Sequence, residues 1–342
     1  MRAMVMRRHG GPEVLEAAEL PDPEAAPGEA LVRVRACALN HLDLWTRRGL
    51  PGRSLEFPHV LGNDVAGEIL VLGTPVEGLA PGQRVMLSPG TSCGRCPACL
   101  SGEDSACRQY RILGHQVHGG NAELVRVPLA NVIPIPDHVG FESAAAFPLV
   151  FLTAWRMLVT RARVRLGEDV LVWAAGSGVG MAAVQVAKLF GARVIATVGS
   201  EAKLVPAREL GADVVLNHRT ADVVAEVRRL TGKKGADVVV EHVGEATWPR
   251  SVLALATRGR LVTCGATTGP NAMTELRHLF SKQLTLMGSY MGSKAELLEA
   301  AGHFFGGRLR SVVHATLPLA EASRAHELME ASAHFGKIVL LA

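Results

Sequence analysis

The sequence predicts an α/β protein in which a β-barrel-like domain precedes a domain built on a doubly wound parallel sheet. Three observations carry this reading. Between Ala30 and about Val127, short alternating segments are separated by Pro/Gly turns; from about Phe141, apolar strands alternate with longer helical patterns; and one of those strands runs through a glycine turn into a helix. Frequent turns between short alternating strands mark a barrel or sandwich, whereas strands alternating with helices mark parallel crossovers.

At 342 residues the chain is long enough for two hydrophobic cores. In the first region, residues 30–36 and 83–87 read as strands and Ala80-Pro-Gly82 as a turn. In the second, strands are expected over 169–174, 193–198, 236–240, 260–264 and 284–288. The tail holds a helix-like run, 293–305, and a strand-like run, 337–341, which does not extend the alternation and is expected to pack back on the first domain. The domains are therefore expected over 1–145 together with 290–342, and over 146–289.

Charge and hydropathy exclude several classes. The net charge of +4 is spread along the chain, and its basic spots, Arg7-Arg8 and Lys233-Lys234, are short, so no nucleic-acid partner is expected. The first eleven residues lack the apolar run of a secretory signal, which points to the cytoplasm. The most apolar stretch, 144–152, is interrupted by Pro148 and is too short to span a bilayer, so no membrane partner is expected.

Cys93, Cys96, Cys99 and Cys107 follow C-x2-C-x2-C-x7-C spacing in a Gly/Pro-rich loop. Four thiolates make a closed tetrahedral zinc site, which holds a loop together and leaves no position for water or substrate. An iron–sulfur cluster is the competing reading. In a ferredoxin run, however, the fourth cysteine follows after three residues and precedes Pro, whereas Cys107 follows after seven and precedes Arg108. One structural Zn2+ is expected in a lobe near 93–107, and the isolated Cys37 and Cys264 are expected to be buried small hydrophobes.

The strand over 169–174 leads into Ala175-Gly176-Ser177-Gly178-Val179-Gly180 and then an amphipathic helix start. Glycines let the backbone approach a pyrophosphate, and the helix N-terminus offers amide donors to it. A strict G-x-G-x-x-G is not met, because Ala175 and Ser177 take the first two glycine positions. The next strand ends at Thr197-Val-Gly-Ser200 with no acid for ribose hydroxyls; Ser200, Lys203 and Arg219 instead offer a set fitted to a 2′-phosphate. NADPH is expected ahead of NADH. The alternative makes Lys203 and Arg219 ordinary surface cations.

Barrel, cysteine lobe and nucleotide fold, in that order and over essentially the whole chain, resemble the medium-chain dehydrogenase/reductase superfamily, which holds zinc alcohol dehydrogenases and quinone oxidoreductases. The motifs carrying the resemblance are Ala38-Leu-Asn-His-Leu-Asp43, Pro58-His-Val-Leu-Gly-Asn-Asp-Val-Ala-Gly67, Gly119-Gly-Asn-Ala-Glu123, Thr153-Ala-Trp155 and residues 187–191. The resemblance implies a GroES-like β-barrel catalytic domain and a Rossmann dinucleotide-binding domain. It also implies that Thr153 lies beside the nicotinamide, and that Val243, Gly244, Gly265, Ala266, Gly288 and Ser289 follow strand ends where the cofactor binds.

Zinc alcohol dehydrogenases hold a catalytic metal with Cys or Asp, with His in a Gly-His-Glu segment, and with a second Cys. Here Asn40 stands at the first place, Asn63 at the second, and the Leu149-Val-Phe151 region at the third. An amide is a poor zinc ligand beside thiolate or imidazole, although His41, His59 and Asp64 lie near enough in sequence to build an atypical site. Asn40 followed by Asp43 resembles the zinc-independent quinone oxidoreductases. Without a Lewis acid the acceptor must be activated by conjugation and hydrogen-bond donors, which implies quinones or α,β-unsaturated carbonyls. Asn40 and His41 are the candidate donors, and Asp43 is an orienter of the loop or a loop cap.

Lys337, in Gly336-Lys-Ile-Val339, matches a tail motif of the superfamily; the resemblance implies that it faces the cleft, and the alternative is a solvated lysine, the commoner outcome. Three functional readings stand: an NADPH-dependent quinone or enone reductase, an alcohol dehydrogenase with an atypical metal site, and a non-enzymatic NADPH-binding protein. The apolar edge over 284–288 favours a homodimer, with a homotetramer as the alternative.

Overall fold

The computed structural model describes residues 1–52 and 54–342. The chain forms two compact units, Met1–Leu149 with Ser293–Ala342, and Val150–Gly292.

In the first unit, the strand Glu29–Ala38 is the organising element. It pairs antiparallel with Asp64–Leu72, Lys337–Leu341 and Leu124–Pro128. The outer strands Arg84–Leu87 and Val132–Pro134 extend the sheet on one side and Val313–Pro318 on the other. Val32, Val34, Cys37, Val65, Ile69, Val85 and Val125 point inward from these strands and form one core. Their alternation with exposed polar residues is the period of a sheet with one wet face. A second core joins Met4, Leu39, Leu44 and Leu61 to Ala325, Met329, Ile338 and Leu340 from the tail.

Two tail elements escaped sequence reading: the strand Val313–Pro318 and the helix Ala322–Glu330. That strand lies at the sheet edge and alternates over only six residues, with Leu317 alone fully buried, so its apolar signal is weak. The helix is held from below by Arg47, fully buried, whose guanidinium donates to Nδ1 of His326 at 2.9 Å and pairs with Glu330.

The second unit is a six-stranded, all-parallel sheet in the spatial order Val214–Asn217, Arg193–Val198, Asp169–Val172, Ala236–Glu241, Leu255–Thr263, Thr285–Gly288. The order reverses beside Asp169–Val172, the switch point at which such sheets open a ligand crevice at their carboxyl ends. Runs such as Val238-Val-Val240 are wholly buried, as strands covered on both faces must be. Among the described residues no helix is long and apolar enough to cross a membrane.

Candidate active site

Three neighbouring strands bring the polar centre of the first unit together. In their registers Ala38 faces Asp64 on one side and Val339 on the other, so Asn40, just past the strand end, meets Asp64 and Lys337. Lys337 Nζ donates to Asn40 Oδ1 at 2.6 Å and to Asp64 Oδ2 at 3.1 Å, and Asn40 Nδ2 donates to the same Asp64 oxygen at 2.9 Å. The other oxygen of Asp64 accepts from the Leu149 N–H at 2.9 Å. Lys337 is 2 % exposed and Asp64 0 %, so of the two alternatives for this lysine the solvated one fails: it is buried facing a buried acid.

Asp43 braces the same loop. Its carboxylate accepts from the N–H of Asn40 at 2.8 Å and of Gly62 at 2.9 Å, so it ties the start of the helix His41–Arg48 to the segment carrying Asn63 and Asp64. Burial pushes the Asp43 carboxyl up to about 6, against the pull of both backbone bonds and of Lys337. Gly62 has φ +102°, and a side chain there would strike Oδ1 of Asn121 and Sγ of Cys37, each at 2.6 Å. Asn63 donates to the Leu113 carbonyl at 2.6 Å, while its Oδ1 is buried with no partner among the described residues. His41 is half-buried at the first helical position, its ring edge-on to Trp45.

The four cysteines converge. Their Sγ atoms all lie within 4.8 Å of one another, with Cys96–Cys99 at 3.5 Å, Cys93–Cys107 at 3.6 Å and Cys93–Cys99 at 3.9 Å. Four sulfurs at about 2.3 Å from one zinc ion are about 3.8 Å apart, so the donor set fits that ion. Among the described residues this is the one group of three or more His, Cys, Asp or Glu side chains able to converge on a metal. The lobe is fastened by Asp104, which accepts from the backbone N–H of Lys294 at 3.1 Å. Cys37 is buried as expected, but Cys264 is half-buried. It lies just beyond the strand Leu255–Thr263, where the sheet no longer covers it.

In the second unit Ser177 caps the helix Gly178–Leu189, its Oγ accepting from the Gly180 N–H at 2.9 Å. A Cβ on Gly180 would lie 2.3 Å from the Ala174 carbonyl oxygen, so only glycine lets strand and helix meet this closely, as a dinucleotide turn requires. Gly176 and Val179 share this turn. Val243 and Gly244 follow the strand Ala236–Glu241, Gly265 and Ala266 follow Leu255–Thr263, and Gly288 and Ser289 end the edge strand, all at carboxyl ends. Thr153 is buried on the helix Pro148–Trp155, and Ser289 Oγ is buried without a partner among the described residues. Ser200 and Lys203 follow the strand Arg193–Val198 and Arg219 follows the neighbouring strand Val214–Asn217; burial and the charge of Arg219 push Lys203 below its usual range.

Glu241, fully buried, was missed. Its carboxylate accepts from the N–H groups of Val243 at 2.7 Å and Gly244 at 3.1 Å and from the hydroxyls of Thr247 and Ser251, so it sets the shape of the 243–244 turn. An acid closing an apolar strand ahead of a glycine was its only sequence signal.

Residues 26–137 match the alcohol dehydrogenase GroES-like domain and residues 178–305 the zinc-binding dehydrogenase domain. An acryloyl-coenzyme A reductase of Metallosphaera sedula is 31% identical over 342 residues, covering 99% of each chain. The chain belongs to the medium-chain dehydrogenase/reductase superfamily. Members similar to it include a quinone oxidoreductase of Salmonella typhimurium, 33% identical over 347 residues and covering 98% of this chain and 97% of that one. Among solved structures, an NAD-dependent alcohol dehydrogenase superposes with a TM-score of 0.97 at 51% identity, covering all of both chains. The superfamily assignment makes this chain an NAD(P)H-dependent oxidoreductase with a GroES-like and a Rossmann domain.

Proposed function

We propose that this chain uses NADPH to reduce quinones or α,β-unsaturated carbonyls at a site that works without a catalytic metal. The observation that carries this reading is the Lys337 ammonium seated between Asn40 and Asp64. Where metal-dependent relatives need thiolate and imidazole, two amides stand, and a buried positive charge beside them repels a second cation.

Bound NADPH supplies the hydride. The chain supplies the environment for the oxyanion that forms on the acceptor. Asn40 Nδ2 has two protons, and one is spent on Asp64, so the other is a donor for that oxygen. Lys337, bonded to Oδ1 of the same amide, draws electron density away and strengthens that donor. Asp43 holds the backbone of Asn40 and so orients the amide. His41 is a second candidate donor from the same helix start.

For the cofactor, the strand Arg193–Val198 ends without a carboxylate, and Lys203 and Arg219 supply charge for a 2′-phosphate. The similarity to an NAD-dependent structure makes NADH the competing cofactor. A reducing compartment such as the cytoplasm keeps the four lobe thiols available to zinc. A second copy of the chain is the partner that fits the exposed Met273, Leu276 and Phe280 beside the edge strand Thr285–Gly288. Assays pairing NADPH and NADH with a quinone, an enone and a primary alcohol test the reading. Turnover of quinone or enone with NADPH supports it; turnover confined to NAD and the alcohol overturns it in favour of an alcohol dehydrogenase.

A further inference from the structure

We infer that a cavity of about 280 Å³ in the unit holding Asn40 binds an anionic group, and that the preferred acceptor carries a carboxylate or phosphate several bonds from its reacting carbonyl. The substrate half of this inference rests on the reductase reading above; the anion site does not.

The cavity is lined by His9, Thr46, Ser54, Arg111, His115 and Gln116 with a minority of apolar groups, and none of its lining residues is acidic. A site for a neutral quinone would be walled mainly by apolar and aromatic side chains. Arg111 extends from the short strand Arg111–Ile112 and makes no ion pair among the described residues. A guanidinium without a carboxylate is a natural bidentate partner for carboxylate or phosphate.

The neighbouring groups are fixed in place around Arg111. Thr46 gives its hydroxyl proton to the Leu42 carbonyl at 2.7 Å, so its 2.7 Å contact with His115 Nδ1 requires the proton on that nitrogen. Nδ1 of His9 faces the carbonyls of Thr46 at 3.1 Å and Arg47 at 3.3 Å and likewise carries a proton. Both rings are thereby anchored through Nδ1 to the helix His41–Arg48. Gln116 Oε1 accepts from the Ile112 N–H at 2.7 Å, which leaves its NH2 group for a ligand.

Reach sets the substrate geometry. Thr46 is six residues beyond Asn40 along the same helix, about 9 Å of axial rise. An acid held beside Thr46 therefore belongs to an acceptor whose anionic end is well separated from the carbonyl at Asn40.

Two measurements on the full-length holoenzyme test this. Calorimetric titration with hexanoate, hexyl phosphate and 1-hexanol reads the anion site without turnover: both anions are expected to bind Arg111→Gln at least tenfold more weakly than wild type, and hexanol equally. Equal binding of the anions to both proteins overturns the site, and loss for one anion alone tells carboxylate from phosphate. The second compares kcat/KM for a neutral enone and its ω-carboxylate and ω-phosphate analogues. Wild type is expected to favour the charged analogue at least tenfold through KM, and Arg111→Gln to bring the ratio near one. No preference in wild type overturns the substrate class, whereas anion binding without reduction of any enone retains the site and defeats the reductase reading.

Discussion

Lys337 Nζ lies 2.6 Å from Oδ1 of Asn40, although 297 positions separate the two residues, because the last strand of the chain pairs with the strand that ends at Ala38. The ammonium also faces the buried Asp64 carboxylate at 3.1 Å. Lys337→Met removes one partner of a buried pair and is expected to cost about 3–5 kcal/mol in urea unfolding. It should also lower kcat/KM for an enone on the order of 100-fold through the weakened donor. Adding Asp64→Asn should restore much of the stability and little of the rate, which separates the two roles.

The cysteine lobe is proposed to be a brace. Cys96→Ser should reduce zinc content and lower the midpoint of thermal unfolding, while kcat of the folded enzyme stays within about twofold, since a closed tetrahedral site offers nothing to substrate. A large fall in kcat at unchanged stability would place the lobe in the chemistry instead.

Lys203→Ala should raise KM for NADPH several-fold and leave KM for NADH unchanged, because only the former has a 2′-phosphate to lose a charge-assisted bond. The NADPH effect should shrink at high salt, as an accessible ion pair is screened. Equal changes for both cofactors would return Lys203 to a structural role.

Acid stability has two opposing contributions. Burial lowers His59 from 6.5 to about 4, so the unfolded chain takes up a proton that the native state refuses, and stability is lost as pH falls through that window. Asp43 is raised from 3.8 to about 6, so its native form holds a proton that the unfolded chain releases, and its contribution declines as pH rises over that range. His59→Gln, whose amide can still donate to the Gly114 carbonyl, should gain on wild type by up to about 3 kcal/mol between pH 6.5 and 4 in urea unfolding. A pH-independent difference would contradict the neutral, buried imidazole.

The parallel sheet was legible because its strands, buried on both faces, are continuous apolar runs punctuated by glycines, and the cysteine spacing announced its own convergence. The strand Val313–Pro318 was not legible, since its alternation runs for only six residues and buries one of them, Leu317, fully. At the site, Asn40 and Asn63 could be read directly from the chain. Their setting could not: nothing in the sequence shows that Lys337 is buried until strand register seats it against Asp64, and Glu241 looks like any acid until its five hydrogen bonds are formed.

The most direct measurement counts zinc per chain and follows enone reduction with NADPH on the same preparation during graded chelation. One zinc per chain is expected, and its removal should lower stability before activity. Two zinc ions per chain, with activity abolished as the weaker one leaves while the fold persists, would contradict a site in which Lys337 supplies the positive charge.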